Sequence, residues 1–233
     1  TGSGIATFVN DLTLGGSTIS VTRIDVQQSF TIVRSSMITG GNLNSNGNCT
    51  ISGALAGSGS ATFKNSGTVV LQTGALLSGS SWSLNNVGSL VLPDAITVSL
   101  APAFTSTGTI NVVNGVLSLQ GGGVFSGPLN VASPAALQIA GGVAQFNAGS
   151  SIAGAGSVNF SAGTSTISAS YNVLGVTTVQ GGSHTLAASA SIASLGSKLI
   201  VQGTGTLTVN ALSVQLPDTS LLGGSLVLNT AMR

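Results

Sequence analysis

Apolar and polar residues alternate in short runs along most of the chain. Leu117 and Leu119 flank Ser118, Leu207 and Val209 flank Thr208, and Leu90 and Leu92 flank Val91. A period of two sends successive side chains to opposite faces of an extended backbone, so each run predicts a strand with one buried face. The runs are about four to six residues long and end at glycine, serine or asparagine, as short strands with tight turns do. Helical spacing is absent, glycine interrupts every long window, and the chain contains no glutamate. No helix is predicted.

The runs repeat. "GSGIATFVN" at Gly2, "GSGSATFKN" at Gly57 and "GAGSVNFSA" at Gly154 share Gly-x-Gly-x-apolar-x-Phe, with Phe160 expected to point inward. "TINVV" at Thr109 aligns with "PLNVA" at Pro128, "GVLSL" at Gly115 with "AALQI" at Ala135, and "GTSTIS" at Gly163 with "GSHTLA" at Gly182. Each step is about 20 residues, a solenoid repeat length. Three short strands joined by bends fit one such coil. The expected fold is therefore all-β: a parallel β-solenoid, a right-handed β-helix of about 11 coils and roughly 50 Å. It forms a single body over residues 1–233. Residues 21–37 carry Arg23, Asp25 and Arg34 and read as an edge coil, where charge blocks runaway pairing. Irregular edge coils are expected over 1–50 and 217–233. The chain begins at Thr1 with neither an initiator Met nor a signal peptide, and reads as a processed chain or a fragment.

Composition fits this picture. Only 4% of the 233 residues are charged and 34 are glycine, against about 25% and about 7% in average proteins. That is unlike a typical enzyme domain, and with 42% hydrophobic residues it is unlike a disordered chain. Net charge is +1, with Arg23, Arg34, Lys64, Lys198 and Arg233 dispersed. No patch could neutralise a run of phosphates, so neither nucleic acid nor an anionic membrane surface is an expected partner. No apolar run of about 20 residues exists to insert into a membrane. Cys49 is the one cysteine, so no internal disulfide or cysteine metal site is possible, and it reads as a small core residue.

Candidate chemistry is sparse. Glycosidases need two carboxyl groups beside one bond. The chain offers Asp11, Asp25, Asp94 and Asp218, with no pair one coil apart. Asp94 in "LPDAITV" and Asp218 in "LPDTSLL" read as turn residues. His184 is the one histidine; without a carboxylate neighbour it reads as an exposed strand residue rather than a triad base or metal ligand. The Gly-x-Gly units lack both the third glycine and a following helix, which excludes nucleotide binding. Calcium-binding nonapeptide repeats are absent. No catalytic residue, metal site or cofactor is expected. Trp82 and Tyr171 are candidate sugar-stacking residues, with core or corner packing as the competing reading. Threonines in "TSTIS" and "GVTTV" read as out of register, which argues against an ice-binding face. Asn48 and Asn159 sit in glycosylation sequons.

The segment 107–186, with units such as "NAGSSIAGAGSVNF", resembles the repetitive β-strand segments of very large surface proteins of bacteria and some unicellular eukaryotes, adhesin-like or autotransporter-passenger-like. The resemblance extends to about Asn210. It implies secretion, a rod-like body and a structural or adhesive role. The expected function is a non-enzymatic extracellular stalk or filament subunit that associates end to end through its solenoid edges. One alternative is an adhesin module that binds a glycan or a cell surface. The other is a carbohydrate-active enzyme using Asp25 or Asp94.

Overall fold

The protein is described here by a computed structural model covering residues 2–229; nothing is assigned to the side chains of residues 2–4 and 21. The described residues form 33 strands and no helix. All strand pairing within the sheets is parallel and lies between successive coils. Sheet A has 12 strands, from Gly2–Phe8 to Ser225–Leu228; sheet B has 10, from Leu12–Leu14 to Ser191–Leu195; sheet C has 11, from Thr18–Ile19 to Asp218–Leu222. The chain visits A, B and C in turn, so these counts describe ten three-strand coils, an eleventh without its middle strand, and a last strand on sheet A. This is a β-solenoid. The three alignments read from the sequence recur as register: Ile110 faces Leu129, Val116 faces Ala136, and Thr164 faces Ser183. The Gly-x-Gly-x-apolar-x-Phe unit marks a corner and a strand but not a fixed side. It leads into sheet A at Phe8 and Phe63, and into sheet C at Phe160.

Alternation within each strand sends every second side chain to the interior, where it stacks on its counterpart one coil away. In sheet B, Phe30, Cys49, Val69, Leu90, Ile110 and Leu129 form one such ladder, and all are buried. In sheet A the rings of Phe125 and Phe146 stack at 4.7 Å and 17°, and Phe104 meets Phe125 edge-on at 5.5 Å. Such pairs contribute about 0.5–1.5 kcal/mol beyond their area.

Stacking continues through the corners. The residue after each sheet A strand donates its N–H to the carbonyl of the last strand residue one coil below. Examples run from Gln27 on Phe8 to Asn229 on Val209, at 2.8–3.0 Å. Inside this corner runs a polar ladder, Ser45, Asn65, Asn86 and Ser106, each at most 1% exposed. Asn65 Nδ2 donates to Asn86 Oδ1 (2.7 Å) and Asn86 Nδ2 to Ser106 Oγ (3.0 Å). The same amides also reach the corner carbonyls of Ser89 and Thr109, and Ser106 Oγ donates to that of Gly108. Amides are tolerated in the core here because their N–H groups find acceptors in the neighbouring side chain and in carbonyls at the start of the next strand. Ser45 Oγ and Asn65 Oδ1, on adjacent coils, hold no hydrogen-bond partner.

Two residues beyond each member of this ladder lies a glycine: Gly47, Gly67, Gly88, Gly108 and, past Phe125, Gly127. A Cβ on Gly88 would sit 2.0 Å from the Gly67 carbonyl oxygen, and one on Gly108 would sit 1.9 Å from that of Gly88. None of the five has positive φ. Glycine is needed here for close backbone approach. Positive φ is the requirement instead at Gly163 and Gly182, on the corner between sheets C and A.

Two expectations need correction. The charged stretch 21–37 is not the edge: the strand Val21–Val26 pairs with Gly2–Phe8 below and with Asn42–Ser45 above. Asp218 does not lie in a turn; it opens the strand Asp218–Leu222 opposite Lys198, while Asp94 does follow a strand end. At the far end, 210–217 cross the position of sheet B without forming a strand; of the expected edge stretch 217–233, residues 230–233 lie outside the described residues.

The corner row generates a paired expectation. Gly88→Ala should destabilise the fold by about 1–3 kcal/mol, the cost of overpacking. Gly15→Ala, whose Cβ would meet only Val33 Cγ2 at 3.8 Å, should leave the thermal midpoint nearly unchanged. Melting both variants by circular dichroism separates the effects; equal midpoints would overturn the close-approach reading.

Candidate functional site

The side chains singled out in the sequence are mostly in the core. Trp82 is 3% exposed and Tyr171 0%. The indole of Trp82 lies where sheet C has no side chain at Gly57, whose Cβ would sit 2.2 Å from the indole Cγ. Its Nε1–H donates to the Ser78 carbonyl at 2.6 Å. Tyr171 continues a sheet B ladder above Ile152, and its hydroxyl meets that of the buried Thr177 at 2.8 Å. Burial raises its pKa. Neither ring offers a face to a sugar in this structure; both pack as corner and core residues.

His184 corrects the expectation of an exposed strand histidine: it is 0% exposed. The run "SHTL" places Ser183 and Thr185 outward and His184 inward, opposite Ser165 in the next coil. The Gly181 carbonyl, 2.8 Å from Nε2, can only accept, so Nε2 carries the proton and Nδ1 accepts from Ser165 Oγ at 2.9 Å. Phe160 covers the ring at 4.7 Å. This is a serine–histidine pair, but a backbone carbonyl stands where a triad needs a carboxylate, and both side chains are buried. Burial lowers the imidazole pKa, partly offset by the Gly181 bond. Cys49 is buried, and burial raises its thiol pKa.

The four carboxylates are held apart by separate partners. Asp11 accepts from Ser29 Oγ, Asp94 from the N–H and hydroxyl of Thr73, and Asp218 lies 3.6 Å from Lys198 Nζ. For Asp25, burial raises the pKa. Hydrogen bonds from Asn44 (2.6 Å) and Arg23 (2.9 Å), with the Arg23 charge, outweigh it and leave the carboxyl below its ordinary range. Among the described residues no three His, Cys, Asp or Glu side chains cluster as metal ligands. Asn48 of the first sequon is exposed; Asn159 of the second is half-buried, and its Oδ1 has no partner.

What remains are surfaces. Within the described residues the inward ladders run from Phe8, opposite Val26, to Leu221, opposite Val201. Outward, the faces differ. Sheet A presents Arg23, Asp25 and Lys64, and sheet C presents Lys198 and Asp218, whereas sheet B carries no charged residue in any of its strands. The threonines also require correction. "TSTIS" does fall in register with two later runs: Thr164 faces Ser183 and then Thr206, and Thr166 faces Thr185 and then Thr208, all on sheet A. "GVTTV" belongs to sheet C, and comparing it with "TSTIS" hid the match. The alignment of "GTSTIS" with "GSHTLA" already contained the signal. Comparison with protein-family models, with curated proteins and with solved structures gives no match.

Burial of His184 sets an acid dependence. The unfolded imidazole titrates near 6.5 and the folded one lower, so the unfolded state binds more protons as pH falls through that value. The contribution is complete above about pH 6.5 and is lost below it, by up to about 1.4 kcal/mol per pH unit. No other side chain of this sequence titrates ordinarily between pH 5 and 7. The thermal midpoint should therefore fall from pH 7 to pH 5, and His184→Gln should flatten that slope. A wild-type midpoint independent of pH in this window would contradict the buried neutral pair.

Proposed function

We propose that this chain is a length of rigid, non-enzymatic solenoid rod outside the cell: a stalk or fibre segment that extends by stacking end to end. The unbroken parallel stacking from coil to coil carries this reading. An inward ladder is stable only when the next coil covers it, and a parallel strand pairs its backbone groups in the same way with a coil of its own chain or of another. A second solenoid supplies both needs, adding parallel strands by the same hydrogen bonds that join the coils internally. Because the coils all advance in one direction, such a contact is head to tail and does not close on itself, so it propagates. The dispersal of the four carboxylates and the burial of His184 favour this over the carbohydrate-active reading.

Negative-stain electron microscopy across a concentration series tests it. Rods in multiples of the roughly 50 Å unit are expected, lengthening with concentration. Leu221→Lys, which places charge on the inward ladder position opposite Val201, should return them to single units. Dispersed single units of the unaltered chain at high concentration would count against the proposal.

A further inference from the structure

The outer face of sheet B differs from the other two in shape as well as charge. Outward positions of sheet A include Arg23 and Lys64, and those of sheet C include Met37, Gln138 and Lys198. On sheet B, between the strands Ser29–Ile32 and Ser170–Val173, no outward side chain is longer than asparagine. Two straight ranks run along this face. One holds Ser29, Asn48, Thr68, Ser89 and Thr109; beside it run Thr31, Thr50, Val70 and Val91. The register is unbroken through these coils. Neighbours in a rank are about 4.8 Å apart, and the two ranks are about 6.6 Å apart, twice the strand rise. Most of these residues are half-buried, so hydroxyls and methyls lie nearly flush with the sheet.

We infer that the sheet B face binds ice. A flat array of short hydroxyl, amide and methyl groups at fixed repeats of a few ångströms is complementary to a flat lattice of water. Hydroxyl and amide groups keep their hydrogen bonds by taking part in that lattice, and the methyls of Thr and Val exclude disordered water between them. Ordering costs little: Thr and Val are stiff at χ1, and further along Asn130 Nδ2 donates to Asn111 Oδ1 at 2.9 Å, fixing both amides. Other occupants fit less well. Sugar surfaces are gripped by exposed aromatic rings, and sheet B has none outside its core. Polyanions need cations, and this face has none. A second sheet packed face to face needs interlocking apolar side chains, whereas hydroxyls and amides dominate here and would be desolvated without partners.

Purified chain should produce a gap between freezing and melting points, facet small ice crystals, and concentrate on a growing ice surface relative to an inert globular protein. The double variant Thr50→Lys, Ser89→Lys should lose these effects while retaining the wild-type circular dichroism spectrum. Ser99→Lys on sheet C and Thr185→Lys on sheet A should retain them. Thr31→Val with Thr50→Val, which keeps shape and methyls, serves as a gentler second variant and should retain most of the activity. The inference is overturned if unaltered chain shows neither hysteresis nor enrichment on ice. It is also overturned if activity is lost through Thr185→Lys rather than the sheet B pair, or if the chain prefers cellulose or chitin powder to ice. End-to-end association has its own readout in the electron microscope, so either proposal can fail without the other.

Discussion

Everything in this molecule follows from one constraint: each coil must lie parallel on the one before it, in register, about 4.8 Å away. The strands satisfy their backbone groups across that gap, and the sheet A corner does so too, through an unbroken series of N–H to carbonyl bonds. Corners are where backbones crowd most. That crowding explains glycines such as Gly67 and Gly88 whose φ is unexceptional. In most folds glycine in such numbers would weaken the chain through its conformational entropy. Here each removed Cβ lets two coils close, and the hydrogen bonds gained at that distance offset the entropy.

The same constraint governs the interior. A side chain in a ladder is packed against its own counterpart above and below, so a polar residue is tolerable when its neighbour or the corner completes its hydrogen bonds. Asn65 Nδ2 donates to Asn86 Oδ1, and both amides donate to nearby backbone carbonyls. Ser165 and His184 do the same within sheet A, and Tyr171 with Thr177 between sheets B and C. These groups interrupt an otherwise apolar core and fix which coil sits on which, because a slip of one residue would leave them unpaired.

Much of this is legible in the sequence, and what is not has more than one cause. Alternation gave the strands, and the 20-residue alignments gave the stacking at Ile110 on Leu129 and Val116 on Ala136. Coil length is not constant, however. The advance is 18 residues from Phe8 to Val26 and 23 from Leu186 to Val209, since loops and a bulge near Tyr171 absorb the difference. Linear spacing therefore blurs which side of the coil a run occupies. That blurring hides the match between "TSTIS" and the later sheet A runs, whereas the inward side of His184 follows from alternation alone, since Ser183 and Thr185 take the outer face. The partners of Trp82 were out of reach for a different reason: the indole fills a gap above Gly57, a contact that depends on the shape of a corner rather than on any period.

Scarcity of charge belongs to the same physics. In a solenoid an outward residue faces its counterpart in the next coil at strand spacing, and like charges so placed repel. A repeating sequence with one charge per coil would therefore generate a column of repulsion. Two pairs carry opposite signs together, Arg23 with Asp25 in one strand and Lys198 beneath Asp218 across two, and the other charged residues are widely separated in sequence. The exposed Lys198–Asp218 pair adds little stability, so its arrangement is better understood as avoiding a penalty. The remaining face, that of sheet B, has no charged residue in its strands. A face with neither charge nor long side chains does not repel another surface, and it keeps that surface's hydrogen bonds available at a regular repeat. The feature that allows coils to stack without limit thus also leaves the rod with a side suited to ordered, uncharged matter.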